Sequence, residues 1–578
     1  MLFYKCLKIS LINFLNLPRT GAKCLFRPDS LINYEILTMN RFFIKYISLL
    51  IIVMAMLNCR QQVEDIHRPN IIVVMSDDHG YQAISSYSNK LIQTPNIDRI
   101  ANEGVLFTNA FVCNSICGPS RASILTGKYS HINGFRSNRD RFDGSQQTFP
   151  KLLQANGYKT AIFGKWHLRS DPTGFDYWNI LPGQGHYYNP GFIKMGKDTV
   201  YDGYITDITT DLALDWMDRN NPEKSGDPFC LMIHHKAPHR NWMPPLKYLN
   251  EFNDHEFKIP DNFFDDYEKR VALSLNEITV HNHFNILFDA KVPCEECLRD
   301  SIDLNFKRKW NNVFSRLSST QKEKWEKAFQ KEYNSFDYSS MSKEELSIWK
   351  YQRYMEDYLR CVKSLDDNIG RVLQYLDKND LADNTIIIYT SDQGFFLGEH
   401  GLYDKRFMYE EAMRTPMLIR YPLLIKSGKK VEDLVMNIDI APTLLDFAGI
   451  EIPTDIQGTS MKSLVNRDHS YEWRKEVYYH YYELSYGLSK HYGIRTARYK
   501  LIHFYDPIDT WELYDLREDP MEMENIINNQ EYKDVLKKMK NRLADKQKEL
   551  NDTFNIRVQS KKVTSKNNDL ISFLIVHK

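Results

Sequence analysis

The sequence predicts an α/β protein: a large, mixed and mostly parallel sheet flanked by helices, with a smaller C-terminal antiparallel sheet plus helix. Continuous apolar runs at 71–75, 228–234 and 384–390 have the length and β-branched content of strands buried on both faces. Residues 354–376 show the apolar spacing of an amphipathic helix packed on such a sheet. Beyond residue 455, alternating runs between turn residues indicate short antiparallel strands, followed by a helix near 532–550.

Length and charge set the domain organisation and narrow the possible partners. The chain has 578 residues, of which 42% are hydrophobic, so it can bury a large core and form more than one domain. We expect a catalytic domain at 67–455 with a helical insertion at about 250–350, a C-terminal subdomain at 456–550, and a tail at 551–578. The 75 basic residues equal the 75 acidic residues, so no global field favours nucleic acid, which we do not expect as a partner.

Residues 1–59 are predicted to be a leader rather than part of the fold. Met39 opens a second possible start, with a basic n-region and an apolar run at 46–57, so that 39–59 resembles a secretory signal and 1–38 is interpreted as spurious. About 12 apolar residues are too few to span a membrane. Cys59 follows Met-Leu-Asn, similar to a lipoprotein box, which predicts export to the periplasm or the outer-membrane surface with a lipid anchor. Plain secretion is the alternative.

Two predicted strands deliver oxygen ligands at their carboxyl ends. Asp77 and Asp78 follow the run 71–75, and Asp392 and Gln393 follow the run 384–390. In open α/β sheets the ligand site lies at this edge, and adjacent carboxylates repel each other without a cation. Oxygen ligands favour Ca²⁺ or Mg²⁺ over zinc.

Four further blocks carry reactive side chains. Cys117-Gly-Pro-Ser-Arg121 matches Cys-x-Pro-x-Arg, the recognition element for converting a cysteine into formylglycine. Lys165 and His167 leave a short strand on the same side, because side chains alternate along a strand. Ala-Pro-His239 ends the run at 228–234, and Lys405 follows the Asp392 block.

In this order, the blocks resemble the type I sulfatases of the alkaline-phosphatase superfamily, over roughly residues 68–530. The resemblance implies that a separate maturation enzyme converts Cys117 to formylglycine (3-oxoalanine), whose hydrate binds Ca²⁺, or less favourably Mg²⁺, held by Asp77, Asp78, Asp392 and Gln393. One hydroxyl of the hydrate attacks the sulfate ester and the other later expels sulfate.

The resemblance also gives roles to the other reactive side chains. Arg121 orients the hydrate, while Lys165, His239 and Lys405 surround the sulfuryl group. His239 or Lys405 protonates the leaving alcohol, and the sequence does not separate them. His167 takes the proton that returns the aldehyde.

The substrate expected from the resemblance is a sulfated glycan. Several stretches look like bacterial N-acetylglucosamine-6-sulfatases, which favours 6-O-sulfated N-acetylglucosamine in glycosaminoglycan or mucin-type chains; another sulfated glycan remains open. The candidate sugar-binding residues are His186, Arg240, Trp242, His491 and Arg495, for which packing in the core is the alternative. A phosphonate monoester or phosphodiester hydrolase, and a non-catalytic glycan-binding protein with unmodified Cys117, also remain open.

The remaining cysteines do not predict a disulfide framework. If Cys117 is consumed, five cysteines remain beyond Cys59, and an odd number argues against systematic pairing. Cys294 and Cys297 are interpreted as part of a loop, with a local disulfide as one possibility, because no second pair at zinc-finger spacing follows.

Overall fold

The architecture is built around one ten-stranded sheet. The computed structural model describes residues 68–294, 297, 301–466 and 472–552, so the predicted leader with Cys59 and most of the tail lie outside the described residues. Within these ranges, none of the helices combines the length and apolar character needed to cross a membrane. The strands are β1 (Asn70–Ser76), β2 (Val105–Phe107), β3 (Ala110–Phe111), β4 (Lys159–Lys165), β5 (Tyr177–Leu181), β6 (Gly191–Lys194), β7 (Lys197–Val200), β8 (Phe229–His234), β9 (Thr385–Ser391), β10 (Met417–Arg420), β11 (Lys429–Val431), β12 (Val435–Met436), β13 (Glu476–Tyr481), β14 (Lys490–Thr496), β15 (Tyr499–Asp506) and β16 (Thr510–Asp515).

The register of the large sheet brings four strand ends together. Its order is β11-β2-β10-β9-β1-β8-β4-β5-β6-β7, and the central strands β9, β1, β8, β4 and β5 are parallel. Met75 in β1 pairs with His234 in β8 and with Thr390 in β9. Gly164 in β4 also pairs with His234. The residues that follow β1, β9 and β4 therefore emerge at one edge, as the α/β prediction requires.

Helices cover both faces of this sheet, because successive side chains of the buried strands point to opposite sides. Ile72 and Val74 of β1 pack with one set of helices, and Ile71, Val73 and Met75 with the other. The first set is Pro95–Asn102, Ile205–Arg219 and Lys343–Lys378, and the second is Cys117–Thr126, Phe149–Ala155 and Ile440–Phe447.

The segment at 250–350 differs in part from a continuous helical insertion. Residues 250–294 form mostly turns and loops around the short helix Val271–Ser274, and Cys294 is joined to Cys297 by a disulfide. The helices Ser301–Phe314 and Ser319–Ser335 follow. Short helices elsewhere are Ser130–Asn133, Pro222–Ser225, Glu410–Met413 and Lys462–Asn466.

The C-terminal part forms the predicted small sheet. β13, β14, β15 and β16 make an antiparallel meander in sequence order, and residues of the helix Lys533–Glu549 pack with them in one core. Asp552, just beyond this helix, accepts a hydrogen bond from the Tyr478 hydroxyl at 2.7 Å and pairs with His480 Nδ1 at 2.7 Å. These contacts fasten the end of the helix to β13.

Candidate active site

Buried acidic side chains meet at the carboxyl edge of the large sheet. Asp77 and Asp78 directly follow β1, and Asp392 directly follows β9. The backbone N–H of Asp78 donates to Asp392 Oδ1 at 3.2 Å, which joins the two strand ends. Gln393 donates from its amide to Asp78 Oδ1 and lies 3.9 Å from Cys117 Sγ. The residues predicted at the ends of two strands that are far apart in sequence are therefore neighbours in the fold.

The donor set fits a divalent cation. One ligand atom from each of Asp77, Asp78, Cys117 and His239 lies within 4.8 Å of the others. Asp77 Oδ1 and Gln393 Oε1 are buried and have no hydrogen-bond partner among the residues that the structure describes. Unsatisfied oxygens at a buried position are costly unless something else coordinates them. Carboxylate and amide oxygens suit Ca²⁺ or Mg²⁺.

Three buried cations balance the three carboxylates. Lys165 pairs with Asp77, and Lys405 Nζ lies 2.7 and 2.6 Å from the two oxygens of Asp78. Arg121 donates to Asp392 Oδ2 from Nε at 3.0 Å and from its terminal nitrogen at 2.8 Å, so its guanidinium is held by the acidic cluster.

The pKa values of the carboxylates are pushed apart by their surroundings. Burial raises the pKa of Asp77, but Lys165 and the other nearby cations hold it well below its usual value. Burial, opposed by Lys405, raises the pKa of Asp78 to about 7, and burial with repulsion from Asp77 raises that of Asp392 to about 6. A bound cation offsets both costs, because it favours the charged carboxylates.

Cys117 occupies the start of a buried helix beside this cluster. It is the first residue of the helix Cys117–Thr126, and burial raises the pKa of its thiol. The next backbone amide, of Gly118, donates to Asn138 Oδ1 at 3.0 Å. A helix start carries partial positive charge, which favours an anionic group near Cys117.

Two imidazoles stand on either side of the cluster. His239 Nε2 lies 3.7 Å from Asp78 Oδ2, and the hydroxyl of Tyr187 donates to the His239 carbonyl at 2.6 Å. His167 Nε2 lies 3.3 Å from the Gln184 amide nitrogen, and its Nδ1 has no partner within the described ranges. Burial lowers the pKa of both histidines well below the usual value, with Lys165 adding to the effect at His167. Neutral imidazoles can accept protons.

A cavity of about 200 Å³ leads from the surface to this chemistry. Of the predicted reactive and metal-binding residues, Asp78, Cys117, His239 and Lys405 line it, and the others do not. Eight lining residues were not predicted from the sequence: Asn138, Gln184, Ile278, Phe395, Tyr403, Asp404, Arg406 and Tyr486. Five of them lie within two residues of a predicted position and could have been found from it, namely Gln184, Phe395, Tyr403, Asp404 and Arg406. No sequence signal indicates the other three.

Three of the candidate sugar-binding residues are internal and contact other buried side chains, and their assignment to a sugar site stays a prediction. Trp242 is 0% exposed and packs against Tyr354 with ring centroids 4.8 Å apart. His491 is equally buried, 4.9 Å from the Phe504 ring. Arg495 is buried and donates to both carboxylate oxygens of Glu410 at 3.2 Å. Each of these residues lies near a motif in the sequence. That position alone does not show whether the side chain points into the core or towards the cavity.

The other two candidates lie nearer the cavity but are constrained. Arg240 lines the cavity, yet its guanidinium forms two hydrogen bonds, of 2.7 and 2.6 Å, to Asp289. Its role is to shape the wall, because its charge is already paired. His186 is half-buried and is not one of the lining residues.

Fold and site together define a hydrolase of anionic esters with an alkaline-phosphatase-like architecture. A buried cation site, a helix start and two lysines all favour negative charge at Cys117. Residues 69–450 match the family described as Sulfatase, and residues 398–549 match the one described as N-sulphoglucosamine sulphohydrolase, C-terminal. The chain belongs to the sulfatase family and is a sulfuric ester hydrolase.

Relatives with assigned activities extend this comparison. The N-acetylglucosamine-6-O-sulfatase of Bacteroides thetaiotaomicron is 49% identical over 500 residues, covering 85% of this chain and 88% of the relative. Human N-acetylglucosamine-6-sulfatase is 26% identical over 441 residues, covering 72% and 67%.

Two solved structures show how far the fold is shared. One, described as in complex with its substrate D-glucosamine-2-N,6-O-disulfate, is 49% identical with a TM-score of 0.80, and the match covers 84% of this chain and 99% of that chain. The phosphonate monoester hydrolase of Agrobacterium radiobacter has a TM-score of 0.61 at 19% identity, covering 84% and 96%, and shares the fold alone.

Proposed function

We propose that this enzyme removes the 6-O-sulfate from N-acetylglucosamine residues of a glycosaminoglycan or mucin-type glycan. The observation that carries the proposal is the 49% identity, over 85% of the chain, to a relative named for this activity. The cavity supports it, because about 200 Å³ is below the roughly 300–1,000 Å³ of ordinary ligand pockets and suits a single sugar. A 6-O-sulfate projects from the ring on a primary carbon, so it can reach Cys117 while the ring stays in the cavity.

The proposed mature site contains formylglycine at residue 117 and Ca²⁺ held by Asp77, Asp78, Asp392 and Gln393. The cation, when bound, withdraws charge from sulfate oxygens and lowers the pKa of the nucleophile. Oxidation of Cys117 by a separate enzyme supplies an aldehyde whose hydrate is that nucleophile.

The protein's own side chains handle charge and protons. Lys405 and His239 both line the cavity. Lys405 is charged and can place a proton on the alcohol oxygen as its bond to sulfur breaks, and His239 can do so once the bound anionic ester favours its protonated form. His167 is a neutral base held beside Lys165, suited to removing the proton from the second hydroxyl of the hydrate. Arg121 fixes Asp392 through two hydrogen bonds and thereby keeps the metal site in shape.

Hydrolysis of a defined panel tests the proposal, measured as release of inorganic sulfate from the sulfated sugars and of the phenol from a phosphodiester. The purified enzyme is incubated with N-acetylglucosamine-6-sulfate, N-acetylglucosamine-3-sulfate, N-acetylgalactosamine-6-sulfate and an aryl phosphodiester. We expect kcat/KM to be highest for the first substrate. Mass spectrometry of the Cys117 peptide is the necessary companion, because conversion removes the sulfur. A fully converted enzyme that prefers any other member of the panel contradicts the substrate assignment, and Cys117→Ala serves as the inactive control.

We further propose export with lipidation at Cys59. The support is the basic n-region, the short apolar run and the cysteine that follows it. Radioactive palmitate labelling of the expressed chain and of Cys59→Ser tests this. Label in both, or in neither, contradicts it.

A further inference from the structure

The hairpin between β13 and β14 forms part of the cavity mouth. Tyr486, near its tip, lines the cavity, and its side chain is 44% exposed. An aromatic ring is thus presented to solvent at the entrance to a polar site. Leu484, two residues earlier on the same hairpin, is exposed to the same extent. Large apolar side chains at such a position are candidates for ligand contact.

The backbone of the hairpin holds Tyr486 in a fixed place. The N–H of Glu277 donates to the Tyr486 carbonyl at 2.9 Å, and the N–H of Leu488 donates to Ser485 at 2.9 Å. Gly487 has a φ of +75°, and a Cβ there would lie 1.9 Å from the Leu275 carbonyl oxygen. The two segments therefore lie so close that only glycine fits, which fixes the backbone next to Tyr486 against the segment that contains Leu275.

The ring is also connected to polar groups of the cavity wall. The Arg406 guanidinium carbon lies 5.4 Å from the Tyr486 ring centre, and the edge of the His283 ring packs at 5.5 Å. Arg406 is itself held by Asp404 at 2.6 Å. A cation over an aromatic ring limits the movement of both. Tyr486 is therefore a preorganised surface, since little rotamer freedom is lost when a ligand packs on it.

The size of the cavity determines what meets this surface. About 200 Å³ accommodates one sugar, so a second sugar attached to the first must lie outside, at the mouth. The C–H faces of a pyranose ring are apolar and pack on aromatic rings. We propose that Tyr486 is the binding platform for the sugar linked to the sulfated residue, so that the C-terminal subdomain selects oligosaccharides over free monosaccharides. This inference rests on the proposed function.

Kinetics on two substrates test the platform. N-acetylglucosamine-6-sulfate and a disaccharide carrying the same residue at its non-reducing end are compared with the wild-type enzyme, Tyr486→Ala and Tyr486→Phe. For Tyr486→Ala we expect the ratio of disaccharide to monosaccharide kcat/KM to fall about fivefold to tenfold, mainly through KM. Tyr486→Phe keeps the ring and is expected to keep the ratio.

The variant Phe264→Ala provides a matched control. Phe264 is an aromatic side chain of similar exposure, 47%, that is not one of the cavity-lining residues, so Phe264→Ala is expected to leave the ratio unchanged. If Tyr486→Ala lowers both kcat/KM values equally, or changes neither, the platform is refuted. Failure of the proposed function is distinguishable, because the converted wild-type enzyme would then release sulfate from neither substrate.

Discussion

The substitution Tyr187→Phe removes one hydroxyl, and we expect it to lower kcat/KM more than an equally destabilising substitution elsewhere in the same loop. The Tyr187 hydroxyl donates to the His239 carbonyl at 2.6 Å, and the Lys236 ammonium lies 4.9 Å from the centre of the same ring. Removing a buried hydroxyl leaves its acceptor unsatisfied, which costs about 1–3 kcal/mol. If transition-state binding loses the same amount, about 1–3 kcal/mol, through a displaced His239 loop, kcat/KM falls by about 5- to 160-fold.

Tyr188→Phe provides the matched comparison. Its hydroxyl donates to the Pro244 carbonyl at 2.5 Å, so the same kind of bond is lost at the far end of the same loop. Both variants are compared with wild type by thermal unfolding and by kcat/KM on the sulfated monosaccharide. We expect similar decreases in Tm and a larger decrease in kcat/KM for Tyr187→Phe. Equal kinetic losses in the two variants would show that the hydroxyl at position 187 stabilises the loop without positioning His239.

Three further predictions follow from buried charges. Arg121→Met leaves Asp392 unpaired in the interior, so we expect the free energy of unfolding to fall by about 3–5 kcal/mol, measured by urea denaturation. Chelation with EDTA should lower Tm, and Ca²⁺ at 100 times its Kd should restore about 2.7 kcal/mol of stability. Burial raises the pKa of Asp552, but His480 and its other partners hold it below the ordinary 3.8; the stability that it provides is therefore present above pH 4 and lost below it, where Tm of wild type and Asp552→Asn should converge.

Each of these predictions has a control. Arg99→Met removes a surface pair with Asp377, and a loss as large as that of Arg121→Met would contradict the role of burial. Asp77→Asn should abolish the Ca²⁺-dependent part of Tm, and a shift that persists would place the ion elsewhere. A Tm difference for Asp552→Asn that is constant from pH 3 to pH 7 would show that the carboxylate charge is not what matters.

The sequence was informative wherever strand geometry dictates position. A buried parallel strand must end at the ligand edge, so the carboxylates after β1 and β9 could be paired across the 314 residues that separate Asp78 from Asp392. The sequence was uninformative about loops. Asn138 and Tyr486 reach the cavity from segments with no periodic pattern, and only the folded chain shows which loops meet.

The sequence did not indicate that aromatic and basic residues near the motifs are buried. Trp242 follows the His239 block directly, yet it turns inward because Phe284, Tyr354 and Tyr403 provide an apolar site for its ring. Arg495 turns inward because Glu410 supplies a buried partner. These packing partners are far away in sequence, so the local sequence pattern does not show that Trp242 and Arg495 are buried.

The contacts between β13 and the loop before Cys117 can form only late in biosynthesis. The Ser115 N–H donates to the Tyr479 hydroxyl at 3.2 Å, and the His480 N–H donates to the Cys113 carbonyl at 3.0 Å. These partners are made late, since 364 residues separate Ser115 from Tyr479. At ribosomal rates of about 5–20 residues per second, roughly 20–70 s pass between them. During that interval the loop before Cys117 lacks its contacts with β13, so the maturation enzyme that we propose would meet a more accessible Cys117 before β13 is made.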